Sequence, residues 1–181
     1  MINWIDVSNF AVVKHVSLSF DAGMTVLTGE TGAGKSIIVD ALAILLGDRT
    51  SGDIVRPGSD HAEIQAGFNL SENPQAIAWL ESHALTDKTG DCSLRRLVFK
   101  SQSSRGFING RPAPIHYLQE LGNLLVDIHS QHEHHRLLQR DHQRVILDSY
   151  ADTTDRVGKI AIVFERLKSE YRELEKLEES I

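Results

Sequence analysis

Eight consecutive residues, Gly29-Glu30-Thr31-Gly32-Ala33-Gly34-Lys35-Ser36, satisfy the pattern G-x-x-x-x-G-K-[ST] at every fixed position. The chemistry of that pattern is phosphate binding. Its glycines let successive backbone N–H groups turn inward and approach phosphate oxygens closely, and a helix that begins at the lysine presents its positive end to the same anion. In such a loop Lys35 reaches the outer phosphates of a nucleotide, and the Ser36 hydroxyl sits on a magnesium ion. The expected cofactors are therefore a nucleoside triphosphate and Mg2+.

Hydrolysis asks for more, because a carboxylate must hold the second side of the magnesium and polarise the attacking water. Asp127 is one candidate. It ends the apolar run Leu124-Leu125-Val126, the pattern of a buried strand that delivers a Walker B aspartate in a self-sufficient P-loop enzyme. Against this, the next residue is Ile128 rather than a second acid. The chain then runs into His129-Ser130-Gln131-His132-Glu133-His134-His135. Four histidines and a glutamate could ligate zinc, but H-x-x-H-x-H-H matches no standard spacing and the chain offers no second ligand pair. A polar loop at the edge of the nucleotide pocket is the simpler reading. Arg56, Arg95, Arg96, Lys100, Arg105 and Arg111 form the main basic stretch. Alternation puts its members on two faces, with a solvated surface as the default and DNA-backbone or subunit contact as the alternatives.

The loop needs a strand before it and a helix after it. Residues 24–28, Met-Thr-Val-Leu-Thr, read as a short buried strand, and Val16, Leu18 and Phe20 share one face of an earlier one, with Asp21-Ala22-Gly23 as the turn between. Beyond the loop, Ile37, Ile38, Ala41, Leu42, Leu45 and Leu46 recur at helical spacing, closed by Gly47. Residues 62–70 alternate as a half-buried strand. A helix follows with Pro74 in its first turn and Ile77 and Leu80 inward, then a loop over 86–91. Strands are expected near 94–99 and 106–108, leading to a tight turn at Asn109-Gly110, and a short helix over 115–121. From Val157 a three-then-four spacing selects Val157, Ile160, Phe164, Leu167, Tyr171, Leu174, Glu178 and Ile181, of which seven are apolar. That is a coiled-coil seam, with a single amphipathic helix docked on the domain as the alternative.

Composition sets the frame. The 181 residues are 41% hydrophobic, enough for one ordinary domain and an appendage. No apolar run approaches the roughly 18–20 residues that cross a bilayer, and Met1-Ile2-Asn3-Trp4 does not open like a signal peptide, so no membrane role and a cytoplasmic location are expected. A net charge of −6 means that any nucleic-acid contact must be local. The single Cys92 can form no internal disulfide and reads as incidental.

Four blocks together resemble the N-terminal head segment of the RecN family, SMC-like ATPases within the ABC-type P-loop class. They are Asn9-Phe10-Ala11-Val12-Val13, Leu27-Thr28 with the phosphate loop, residues 105–112 (Arg-Gly-Phe-Ile-Asn-Gly-Arg-Pro), and residues 125–134 (Leu-Val-Asp-Ile-His-Ser-Gln-His-Glu-His). The resemblance implies an α/β fold of the ABC/SMC head type, with an antiparallel strand group and a protruding C-terminal coiled-coil helix. It divides the chain into half of an ATPase head, 1–150, and the start of a coiled-coil arm, 151–181. It implies ATP and Mg2+ as cofactors, held by Gly29 through Ser36, with Lys35 catalytic. Gln131 becomes the Q-loop glutamine on magnesium and the attacking water, and Asp127 merely part of the strand before it. Arg56 is placed where such proteins often carry an arginine that reaches nucleotide or DNA. The implied partners are a C-terminal head segment of the same protein, a second head and DNA, in double-strand-break repair on the nucleoid. Alone, the segment is expected to hydrolyse ATP poorly.

Overall fold

The computed structural model describes residues 1–29, 34–87, 90–128 and 140–178. They fall into two compact units, Met1–Ile128 and His129–Ile181. The first unit contains a six-stranded, wholly antiparallel sheet formed by β1 (Ile2–Phe10), β2 (Val13–Ser19), β3 (His61–Asn69), β4 (Asp91–Phe99), β5 (Arg105–Ile108) and β6 (Arg111–Ala113). Its order is β2-β1-β3-β4-β5-β6. Three helices belong to the same unit: α1 (Lys35–Leu45), α2 (Pro74–Ser82) and α3 (Ile115–Leu125).

The period-two patterns of the sequence become the two faces of this sheet. Ile5 and Val7 of β1, Ala62, Ile64, Ala66 and Phe68 of β3, Cys92, Leu94 and Val98 of β4, and Ile108 of β5 are all buried on one side. Helix α1 packs on β1, β3 and β4, while α3 packs on β5 and α2 on α3. The opposite side carries polar pairs, among them Arg95 with Glu63 at 2.6 Å, while the Arg95 guanidinium lies 5.2 Å from the Phe107 ring. Asn109 and Gly110 turn β5 into β6 with φ of 49° and 74°. The Asn109 side chain accepts from the Ser93 N–H at 2.8 Å and donates to the Leu85 carbonyl at 2.8 Å, so the turn is tied down on two sides.

Two expected strands are absent. Residues 24–28 form no strand and are exposed, Met24 at 95% and Val26 at 71%. A buried strand needs neighbours on its edges, and none of the six strands pairs with this run. Leu124 and Leu125 instead close α3 as its last turn, and only Val126 takes an extended backbone. Leu118, Leu121 and Leu125 continue one helical stripe, so a three-residue apolar run that reads equally as strand or helix end is claimed by the helix before it. Asn73 reinforces that ending. Its side chain caps α2 by accepting from the Ala76 N–H at 3.0 Å and donates to the Leu124 carbonyl at 2.6 Å.

The second unit contains α4 (Arg140–Tyr150) and α5 (Thr154–Glu178). The seam residues Ile160, Phe164, Leu167, Tyr171 and Leu174 are exposed along α5. Among the described residues no helix is long and apolar enough to cross a membrane.

The close of α1 is a tight junction. Gly47 sits at φ 111°, its N–H donates to the Ile44 carbonyl at 3.1 Å, and the Asp48 N–H donates to the Ala43 carbonyl at 3.2 Å, which is a Schellman ending. A Cβ on Gly47 would lie 2.6 Å from Cβ and 2.8 Å from Cα of Gln119 on α3. Gly47→Ala is therefore expected to lose roughly 2–4 kcal/mol of stability in urea denaturation, from left-handed backbone cost plus overpacking. Gly58→Ala, at φ 88° with nothing within 4 Å of an added Cβ, should lose only about 1 kcal/mol. A second prediction concerns Cys92, whose thiol is pushed up by burial to about 12 from 9.0. It should resist a disulfide reagent at pH 8 until the unit unfolds. Because the folded value is the higher one, its stabilising contribution is complete below pH 9 and declines as pH rises toward 12, measurable as a falling melting midpoint.

Candidate functional site

Among the described residues, no side chain caps the first turn of helix α1. Gly34 is its N-cap at φ 99°, ψ −5°, and no acidic residue lies in the first turn. A helix start of this kind turns the positive end of its dipole toward an anion. The first bond of the helix runs from the Ile38 N–H to the Gly34 carbonyl at 3.3 Å. Lys35 is the first helical residue, and its Nζ donates back to the Gly29 carbonyl, joining the two ends of the loop. A Cβ at Gly29 would sit 3.8 Å from that ammonium, whereas one at Gly34 meets nothing within 4 Å. Backbone conformation, not crowding, is what requires glycine at 34. Ser36 is exposed in the same turn. Such a helix start, with one ammonium and one hydroxyl, fits a polyphosphate bound with Mg2+.

Of the residues singled out in the sequence, Gly29, Gly34, Lys35 and Ser36 are thus brought together. Glu30, Thr31, Gly32 and Ala33 lie outside the described residues, as do Gln131 and the histidines at 129–135. Among the described residues no group of three or more His, Cys, Asp or Glu is placed to hold a metal. Asp127 is exposed and follows the end of α3 rather than a strand, so the strand that would make it a Walker B acid is missing.

Arg56 is carried by a different segment, one that clasps the tip of the β1–β2 hairpin. Its N–H donates to the Asn9 carbonyl at 2.9 Å, the Ala11 N–H donates to the Ile54 carbonyl at 2.7 Å, and Phe10 bridges Val55. Asn9 and Ala11 both take left-handed backbone, at φ 54° and 49°, to make this possible. The hairpin tip, the flank of α1 at Ile37 and Asp40, and the Asp48–Arg49 turn enclose a cavity of about 380 Å³.

Sequence reasoning missed Arg96. A solvated face was the default for the basic stretch, yet Arg96 is 3% exposed and points into the core. Its Nη1 donates to the Ile44 carbonyl and to the Asp48 carbonyl at 2.8 Å, and Nη2 donates to Ser104 Oγ at 3.2 Å. Burial pushes the guanidinium below its ordinary range, while the charge of Asp48 acts in the opposite sense. The signal was available, since Cys92, Leu94 and Val98 mark every second residue of β4 as inward, and Arg96 falls on that series.

The profile of the AAA domain family matches residues 5–181. The chain is 39% identical over 180 residues to the DNA repair protein RecN of Vibrio cholerae, covering 99% of this chain and 32% of that protein. Identity to RecN of Xylella fastidiosa strain 9a5c is 45% over 151 residues, 83% of this chain and 27% of the relative. For RecN of Halalkalibacterium halodurans it is 41% over 172 residues, 95% and 29%. The chain therefore spans about a third of the length of these relatives. Among solved structures, the Smc head domain with a coiled coil and joint from Pyrococcus yayanosii superposes with a TM-score of 0.65 at 19% identity, over 93% of this chain and 35% of that one. A structure from a study of ATP-driven dimerization and DNA-stimulated activation of SMC ATPases gives 0.58 at 22% identity, over 81% of this chain and 97% of that one. At such identities the likeness establishes the fold, an α/β head of the ABC/SMC type. With a profile match from residue 5 to residue 181 and RecN-like sequence along nearly its whole length, the chain belongs to the AAA domain family, as a RecN-type, SMC-like head segment.

Proposed function

We propose that this chain is the ATP-binding half of an SMC-like ATPase head that acts in DNA double-strand-break repair and recombination. The observation that carries the reading is the first turn of α1, where Gly34, Lys35 and Ser36 meet an uncapped, acid-free helix start. ATP supplies the phosphoryl group and Mg2+ the charge neutralisation for its transfer to water. The chain's own part is to bind and orient. Backbone N–H groups of residues 29–36 hold the phosphates, Lys35 adds a charge-assisted bond to the outer ones, and the Ser36 hydroxyl and Gln131 hold the metal side. Arg56 would add a contact from the clasp segment. The RecN relatives support DNA repair as the process, and the RecN-type sequence supports a site completed from outside this chain by a C-terminal head segment and a second head. Residues 1–150 then form the head half and residues 151–181 the outgoing arm, in a nucleoid-associated cytoplasmic protein that contacts DNA. The exposed seam of α5 suits an arm that pairs with a returning helix.

Binding without turnover is the expected behaviour of the chain alone. Calorimetric titration with Mg-ATP should show saturable binding. Lys35→Ala should weaken it by about 1.5–3 kcal/mol, roughly 10- to 100-fold in Kd. Steady-state hydrolysis should stay near background until the C-terminal head segment is added in trans. Efficient turnover by the chain alone, abolished by Lys35→Ala, would refute the half-site reading and make this a self-contained P-loop kinase or phosphohydrolase with Asp127 as its acid.

A further inference from the structure

Arg96 is the one buried charged side chain among the described residues. Burying a guanidinium is costly, and its Nε, also buried, has no hydrogen-bond partner. A leucine or methionine would fill the same inward position of β4 without that desolvation, so packing alone does not account for an arginine there. What the charge does meet is the negative end of α1. The Ile44 carbonyl accepts from both the Gly47 N–H and Arg96 Nη1, and the Asp48 carbonyl accepts from Nη1 as well. On its other side Nη2 reaches Ser104, in the loop between β4 and β5. Helix α1 is 11 residues long, roughly 16 Å, and is therefore a short rigid rod. A rod held at one end, at the Ile44 carbonyl and at the Asp48 carbonyl just beyond it, has a fixed axial position at the other, where Gly34, Lys35 and Ser36 begin. A cation at the C-terminus and phosphates at the N-terminus also complement the same helix dipole in the same sense.

We propose that Arg96 is a positioning residue for phosphate binding: by tying the Ile44 carbonyl of α1 and the Asp48 carbonyl of the turn that follows it to β4 and Ser104, it fixes where the first turn of the helix meets the nucleotide's phosphates. The proposal rests on the nucleotide-binding reading above. Arg96 touches no phosphate itself. Its effect passes through α1 and concerns the polyphosphate, not the base or sugar.

The test is calorimetric titration of the 181-residue chain with Mg-ATP and, separately, with Mg-tripolyphosphate, well below the melting midpoint of each variant. Arg96→Lys keeps the charge but loses the fork that spans two carbonyls and a hydroxyl, and should weaken both ligands by the same factor, roughly fivefold. Arg96→Met should weaken them further, and Ser104→Ala by about twofold. Equal losses for ATP and tripolyphosphate are the signature of an effect delivered at the phosphate end. If Arg96→Met fails to fold, Arg96→Lys and Ser104→Ala decide. A folded Arg96→Lys chain that binds tripolyphosphate as tightly as the unaltered chain overturns the proposal, and so does a loss seen with ATP alone. An unaltered chain that binds neither ligand overturns the underlying reading and the proposal with it.

Discussion

One short helix, held at its far end by a buried guanidinium, is the constraint on which the first unit depends. A helix that offers its N-terminus to phosphate has given up a local source of stability, because no side chain among the described residues caps it. Stability has to come from the rest of its length. Ala41, Ile44 and Leu45 are buried against the sheet, Gly47 closes the last turn, and Arg96 binds the Ile44 carbonyl and that of Asp48 just beyond the helix. The carbonyls at one end are satisfied from the sheet, while the other end carries no side-chain cap among the described residues. That asymmetry is what a binding helix requires.

The surrounding architecture serves the same end. The sheet supplies a flat apolar floor, and α3 supports the far end through contacts so close that glycine is required on both sides. An added Cβ on Gly122 would lie 2.9 Å from Leu46 Cβ, the mirror of the Gly47 contact with Gln119. Side chains with rotatable bonds would leave slack at this crossing, whereas backbone against backbone leaves none. The hairpin tip between β1 and β2 is clasped in a comparable way by residues 54–56, through main-chain bonds that any side chain can accompany. Net charge plays no part in the site. The chain carries −6 overall, and local favour toward an anion arises from oriented N–H groups and one ammonium.

Much of this was legible in the residues, for reasons that differ by element. Strand β3 announced itself because both of its faces have fixed surroundings, so Ala62, Ile64, Ala66, Phe68 and Leu70 keep strict alternation. Pro74 marked the start of α2, Gly47 the end of α1, and Asn109 with Gly110 the last hairpin, since each position demands backbone geometry that few residues supply. Short apolar runs failed. Residues 24–28 and 124–126 look alike as strings, but whether such a run becomes a strand depends on neighbours that lie elsewhere in sequence. Arg96 was obscured by the habit of reading arginine as surface, although the alternation around it pointed inward. The roles given to Gln131 and Arg56 were reached through resemblance to a family, not through spacing.

The bare run at residues 24–28 has a consequence for handling the protein. Five residues rich in β-prone side chains, carrying no charge and no proline, stand open to solvent, outside every strand pairing of the described residues. Such a segment is adhesive, ready to template the same segment of another copy at high concentration. A natural strand partner laid along it would therefore act also as a chaperone, covering the stickiest surface of the unit while completing its architecture.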